Sequence, residues 1–142
     1  VGALLFASTG YPRVDELNPH ARNLMTATAG TKPVIMVTAP APASELVLKK
    51  AGMRKENVDL FEINEAFAAV VLKFQREFGV DDSRLNVNGG AIALGHPLGA
   101  SGARLMTMLV HELKRRGGRY GLATMCIVVG QGIATVVERI EG

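Results

Sequence analysis

The chain has 142 residues, a net charge of +3, 48% hydrophobic residues, one cysteine and no tryptophan. That is enough apolar material for one domain with an aliphatic core, and it excludes a disordered or low-complexity chain. The basic residues are not interleaved with aromatics, so nucleic acid is not an expected partner. No apolar run is long enough for a membrane span, and a lone Cys126 fits a reducing compartment such as the cytoplasm.

Val1–Ser8 (V-G-A-L-L-F-A-S) reads as a strand rather than a signal peptide, because no positive region precedes it. A chain that opens inside a strand pattern suggests the end of a preceding domain. Tyr11-Pro12 and Asn18-Pro19 break any helix, and Ala21–Ala29 is compatible with strand or short helix. Lys32–Thr38 contains V-I-M-V, which reads as a short buried run. Prolines at 40 and 42 then open a helix over about 43–51 that stops at Gly52.

Asn57–Ile63 reads as a strand. Asn64 stands where an N-cap would, before a helix with Phe67, Val70, Val71, Phe74 and Phe78 on its apolar face and Gly79 at its end. Glu65 fits the first turn of that helix on dipole grounds. After Leu85–Val87 comes a glycine-rich loop, N-V-N-G-G-A-I-A-L-G-H-P-L-G-A-S-G, with His96 near its tip. Glycines permit close backbone approach, and Pro97 fixes the turn after the imidazole. The loop is either a tight turn whose histidine caps a carbonyl or a device that presents His96 to a ligand. Ser101 starts the next helix, which carries Leu105, Met108, Leu109 and Leu113 on one side. It ends in the basic run Lys114-Arg115-Arg116 before Gly117-Gly118. Tyr120–Val129 and Ile133–Ile140 form a hairpin around Gly130-Gln131-Gly132. Strands alternating with helices imply an α/β fold: a layered, mixed and mostly parallel sheet flanked by helices, with a C-terminal antiparallel hairpin at its edge.

Ligands gather at the carboxyl ends of strands in open α/β sheets. Asn64, His96 and Cys126 stand at such ends, which predicts that they converge. Each also has a plain structural role: cap, turn and small buried hydrophobe.

Three blocks, N-E-A-F-A-A at 64–69, N-G-G-A-I-A-L-G-H-P-L-G-A-S-G-A-R at 88–104 and C-I-x-x-G-x-G-I-A at 126–134, resemble the signature blocks of the C-terminal domain of thiolases, in the same order and spacing. The resemblance extends back through V-I-M-V-T-A-P-A-P-A at 34–43. It implies residues 31–142 as a thiolase C-terminal domain, with 1–30 as the end of the preceding region and a connector. It implies acyl transfer between coenzyme A thioesters, by Claisen condensation or thiolysis of a 3-ketoacyl-CoA, with no metal and no cofactor beyond those substrates. In these roles His96 activates the nucleophilic thiol and stabilises an enolate. Asn64 holds the water that completes an oxyanion hole, and Cys126 is the acid/base cysteine. Phe67 lines the acyl pocket, while Val128 and Gly130 lie at the second oxyanion site. A homodimer or homotetramer is implied by resemblance alone.

Two departures bear on this. The acylated cysteine of a thiolase lies in the N-terminal half, and this chain has only Cys126. The expected pattern C-x-G-G-G-x-G is here Cys126-Ile127-Val128-Val129-Gly130-Gln131-Gly132, with valines in place of two glycines. Two readings follow: part of a catalytic thiolase completed by the missing half, or a non-catalytic thiolase-like subunit or oligomerisation module.

Overall fold

The computed structural model describes Ala7, residues 18–35 and residues 37–140. The strand read at Val1–Ser8 lies outside these, except for Ala7. Four strands, β1 (Ala21–Gly30), β2 (Leu60–Ile63), β3 (Tyr120–Ile127) and β4 (Gln131–Arg139), form one sheet in the order β1-β4-β3-β2. The longer helices are α1 (Pro40–Ala51), α2 (Ala68–Phe78) and α4 (Ser101–Arg116), with a single turn, α3 (Ala91–Leu94), in the glycine loop.

The sheet is mixed and carries the antiparallel C-terminal pair β3–β4. Among the described strands, β2–β3 is the parallel pair and β1–β4 and β3–β4 are antiparallel, so this part of the sheet is not mostly parallel. β4 is also not an edge strand, because β1 pairs with it antiparallel, from Ala21 opposite Arg139 to Gly30 opposite Gln131. Residues 21–30, read from sequence as connector, therefore belong to the sheet. No local pattern announces a partner more than a hundred residues away.

Side-chain alternation along the strands divides the core into two layers. Phe61, Ile63, Leu122, Ala134 and Val136 face α1 and α2, where Val47, Leu48, Val70, Phe74 and Phe78 complete the layer. Leu60, Ala123 and Val137 face α4, against Leu105, Met106, Leu109 and Leu113. The first layer is braced by aromatic contacts: Phe74 stacks on Phe78 at 4.7 Å and both meet Phe61. This packing matches the apolar faces read from the sequence except at Phe67, which is exposed, and at Met108, which is half-buried and outside the α4 layer, where Met106 packs instead.

None of the described residues of 32–38 is buried. Pro33–Ile35 make one 3-10 turn, with Val34 and Ile35 exposed. Thr31, immediately before this segment, anchors the far end of the hairpin, because its N–H and hydroxyl both donate to the Gly130 carbonyl, at 2.7 and 3.0 Å. The basic run at the end of α4 is held internally. Arg115 and Arg116 both grip the buried Glu112 carboxylate, which Arg115 above all holds down at about 2.

Gly132 sets how closely the hairpin approaches α1. A Cβ there would lie 2.6 Å from the Ala39 carbonyl atoms, immediately before Pro40. Gly132→Ala is expected to cost about 1–3 kcal/mol, the usual penalty of overpacking, read as a lowered midpoint in urea with an unchanged slope.

Candidate functional site

β2 and β3 run parallel, so their carboxyl ends open on the same side of the sheet. Asn64 follows the last residue of β2, and its N–H donates to the Thr124 carbonyl at 3.0 Å, which carries the β2–β3 pairing one step further. Asn64 is fully buried and does not cap α2, whose first residue is four positions later. Its side chain points instead to the glycine loop, where Asn64 Nδ2 lies 3.2 Å from His96 Nε2.

The other imidazole nitrogen is fixed by α4. His96 Nδ1 is 2.6 Å from Ser101 Oγ, and the Ser101 hydroxyl donates to the Pro97 carbonyl at 3.1 Å. A hydroxyl has one proton to give, so Ser101 must accept from His96 Nδ1–H. That assigns the neutral ring its Nδ1–H tautomer and leaves a lone pair on Nε2, facing the Asn64 amide. Asn64 Oδ1 is buried and has no hydrogen-bond partner among the described residues, so it is left free to accept a hydrogen bond.

Two residues build the frame for this pair: Asn86, which sequence reasoning did not single out, and Glu65, which it read only as a first-turn residue. Asn86 has φ 45°, and its carboxamide mimics a neighbouring strand. It accepts from Ile63 N–H at 2.7 Å and donates to the Ile63 carbonyl at 3.0 Å, and its amide also reaches Glu65 Oε1 at 2.9 Å. Glu65 lies before α2 rather than in its first turn. Its other oxygen accepts from Ile92 N–H at 3.0 Å, capping α3. Gly90 is required there because any Cβ would fall on the Glu65 carboxyl group. Gly95, with φ 90° and ψ 167°, turns the chain from α3 into His96 through a region open essentially to glycine.

Cys126 lies near the end of β3 and is half-buried. Among the described residues it has no hydrogen bond to His96 or Asn64, and burial pushes its thiol above the ordinary value, with only its own backbone opposing. After it, the left-handed turn falls on Val129 (φ 58°) and Gly130 (φ 79°), while Val128 does not adopt positive φ. Val128 is exposed. Gly130 is buried, and both lone pairs of its carbonyl are taken by Thr31. Of the large apolar side chains left exposed, Phe67, Ile92, Leu94, Leu98, Val128 and Val129 lie in the segments carrying these groups, while Val34, Ile35 and Leu72 lie elsewhere.

The sequence matches the family described as "Thiolase, C-terminal domain" over residues 17–139. The chain belongs to the thiolase C-terminal domain family. It is 50% identical over 141 residues to a 3-ketoacyl-CoA thiolase of Klebsiella pneumoniae, covering 97% of this chain and 36% of the relative. It is 52% identical over 140 residues to a beta-ketoadipyl-CoA thiolase of Escherichia coli, covering 97% and 35%. Human mitochondrial 3-ketoacyl-CoA thiolase superposes with a TM-score of 0.90 at 47% identity, over 94% of this chain and 34% of that one. The chain thus spans about a third of the length of the thiolases it matches. Among the described residues, no helix is long and apolar enough to cross a membrane, and no group of three or more potential metal ligands occurs.

Two predictions follow from the geometry of this thiolase domain. Val129 is a β-branched residue held in the left-handed region, which costs about 1–2 kcal/mol. Its side chain is mostly exposed, so little burial offsets that strain. Val129→Gly is expected to stabilise the fold by about 1 kcal/mol after the extra chain entropy of glycine, seen as a melting temperature raised by about 3 °C.

Glu62, on β2, is buried, and burial pushes its carboxyl up from 4.5 to about 8, aided by Glu65 and Glu112 and opposed by Arg104. The folded state keeps a proton that the unfolded chain releases, so this stabilisation is complete below pH 4.5 and is lost as pH rises towards 8. Unfolding free energies measured across that range should fall with pH, and Glu62→Gln should flatten the slope.

Proposed function

We propose that this chain supplies the oxyanion-hole and acid/base half of a thiolase active site, acting on acyl-CoA thioesters together with a complementary thiolase region that carries the nucleophilic cysteine. The observation that carries the reading is the pairing of Asn64 with His96 Nε2, the imidazole being anchored from behind by Ser101.

Thiolysis of a 3-ketoacyl-CoA begins when His96 Nε2 takes the proton of the nucleophilic thiol. The thiolate attacks the 3-keto carbon, and the bond between carbons 2 and 3 breaks. The acyl group remains on the cysteine, and the electron pair passes to an acetyl-CoA enolate. The enolate oxygen meets His96, now protonated at Nε2, and a water held by Asn64 Oδ1, while the Cys126 thiol protonates the α-carbon. Coenzyme A thiol then takes the acyl group, and the reverse sequence is Claisen condensation. The high pKa of Cys126 suits a group that must hold a proton to deliver. The backbone at Val128 and Gly130 borders the site for the acyl-enzyme oxygen, where Val128 retains an N–H despite replacing glycine. Phe67 lines the acyl channel. The exposed apolar residues around the site are the surface that the complementary region would cover.

The test is co-expression of this chain with a thiolase N-terminal half, followed by assay of acetoacetyl-CoA cleavage by coenzyme A. Activity is expected, and Asn64→Ala should lower kcat by about 10²–10³, the usual loss for one oxyanion donor. A well-folded complex without activity would overturn the catalytic reading in favour of a structural subunit.

A further inference from the structure

Glu65 follows Asn64 directly, and its side chain crosses to the histidine loop. Its Oε1 accepts from the Asn86 amide at 2.9 Å, and its Oε2 accepts from the Ile92 N–H in α3 at 3.0 Å. Both partners are donors that have nowhere else to turn. Asn86 spends its oxygen on the Ile63 N–H and one amide proton on the Ile63 carbonyl, so its second amide proton is the one that meets Glu65. The Ile92 N–H lies in the first turn of α3, where no carbonyl of the helix itself can reach it.

The space for the carboxyl group is left by Gly90. A Cβ there would lie 2.1 Å from Glu65 Cδ and 2.4 Å from both carboxyl oxygens. Gly90 itself has φ −135° and ψ −159°, an extended conformation open to any residue, so the backbone does not call for glycine at this position. Room for the Glu65 carboxyl group does. From Gly90, α3 carries the chain through a single turn to Gly95 and His96. The far side of that turn is held by α4, where Ser101 takes the ring and Arg104 Nη1 donates to the Gly95 carbonyl at 2.5 Å. Glu65 is thus joined to Asn64 by one peptide bond and to His96 by one turn of helix.

We propose that Glu65 is the positioning residue that sets the approach of His96 to Asn64, by fixing α3 against the end of β2 with both oxygens of its carboxylate. Its importance for turnover rests on the reading of Asn64 and His96 as the oxyanion-hole pair. The group must be a carboxylate, because both contacts are donors. A glutamine offers one acceptor oxygen and turns an N–H towards the other donor. The length matters as well, since an aspartate is one methylene shorter and draws the carboxylate back from both donors.

The experiment follows the His96 ring by ¹⁵N NMR in the full 142-residue chain, whose three histidines are assigned with H20Q and H111Q. In the unmodified chain His96 should show the Nδ1–H tautomer. E65Q and E65D should each convert it to a mixed population of tautomers, with His20 and His111 unmoved. E65D keeps the negative charge, so its agreement with E65Q separates position from charge. G90A leaves Glu65 in the chain but displaces its carboxyl group, and it should produce the same mixed population.

In the enzyme reconstituted with a thiolase N-terminal half, E65D should lower kcat by about 10²-fold with KM unchanged, the scale of a reacting group misplaced by about 1 Å. An unaltered His96 tautomer in folded E65Q and E65D overturns the proposal. So does a mixed population in only one of the two, because both the chemistry and the length of the side chain are required. If neither Glu65 variant folds, G90A decides on the same signal, and the unaltered tautomer there overturns it. Failure of all three to fold also overturns it, since Glu65 would then serve the fold and not the aim of His96. An active reconstituted enzyme whose kcat is unchanged by E65D overturns it as well. Mixed tautomers in E65Q and E65D, with a reconstituted enzyme that is inactive even without substitution, support the positioning role and defeat the functional reading instead.

Discussion

The Asn86 carboxamide holds the site to the sheet. Its oxygen and nitrogen close a two-way bond with the backbone of Ile63, the last residue of β2, so the strand ends against a side chain where another strand would be. The same amide orients Glu65, Glu65 caps α3, and α3 delivers the chain through Gly95 to His96. A buried strand end with unpaired backbone groups would cost several hydrogen bonds' worth of desolvation. Here those groups are satisfied by a residue that also leads into the glycine loop, which makes loop geometry a consequence of sheet geometry.

The helix α4 acts from the opposite side. Its body is tied to the sheet through Leu105, Leu109 and Leu113, all nearly or fully buried. Its first turn is therefore a rigid platform, and Ser101 and Arg104 reach from it to the loop at His96 and Gly95. A histidine on a glycine-rich loop would ordinarily be mobile, because glycine leaves the backbone unrestrained. Attachment to two independently packed elements, β2 through Asn64 and α4 through Ser101, is what gives the imidazole one orientation and one tautomer.

The opening of the site is asymmetric in chemistry. Asn64 and His96 are linked by a direct contact, whereas Cys126 approaches on β3 without joining their hydrogen bonds. Beyond it, the β3–β4 turn is anchored through Gly130 to Thr31 and places a β-branched Val129 in a strained conformation. The turn is thus fixed at its base and exposed at its tip, next to other exposed apolar side chains of the site segments. An apolar rim of this kind belongs to a surface that works against another surface.

Much of this was legible in the sequence, for reasons that differ by residue. The helices with Val70, Phe74 and Phe78, and with Leu105, Leu109 and Leu113, follow from apolar spacing, because a helix buries one stripe whatever it packs against. The three signature blocks marked Asn64, His96 and Cys126, since their residue types and order are carried by the chain itself. What sequence spacing left hidden depends on distant partners. Lys32–Thr38 looked buried because of its apolar V-I-M-V stretch, yet Val34 and Ile35 are exposed, and it is the preceding Thr31 that bonds to Gly130. Asn64 looked like a helix cap because it precedes a helix, yet the β2–β3 pairing places it one residue beyond the strand and buries it. β1 could not be placed in the sheet because its pairing with β4 spans nearly the whole chain. The sequence by itself determined the three longer helices, the strands β2, β3 and β4 and the family, since these depend on neighbours a few residues away or on the order of residues. Only the tertiary structure decided the tautomer of His96, the frame made by Asn86 and Glu65, and the burial of Glu62 beside α4, because each is a hydrogen bond or a desolvation set by groups far apart in the chain.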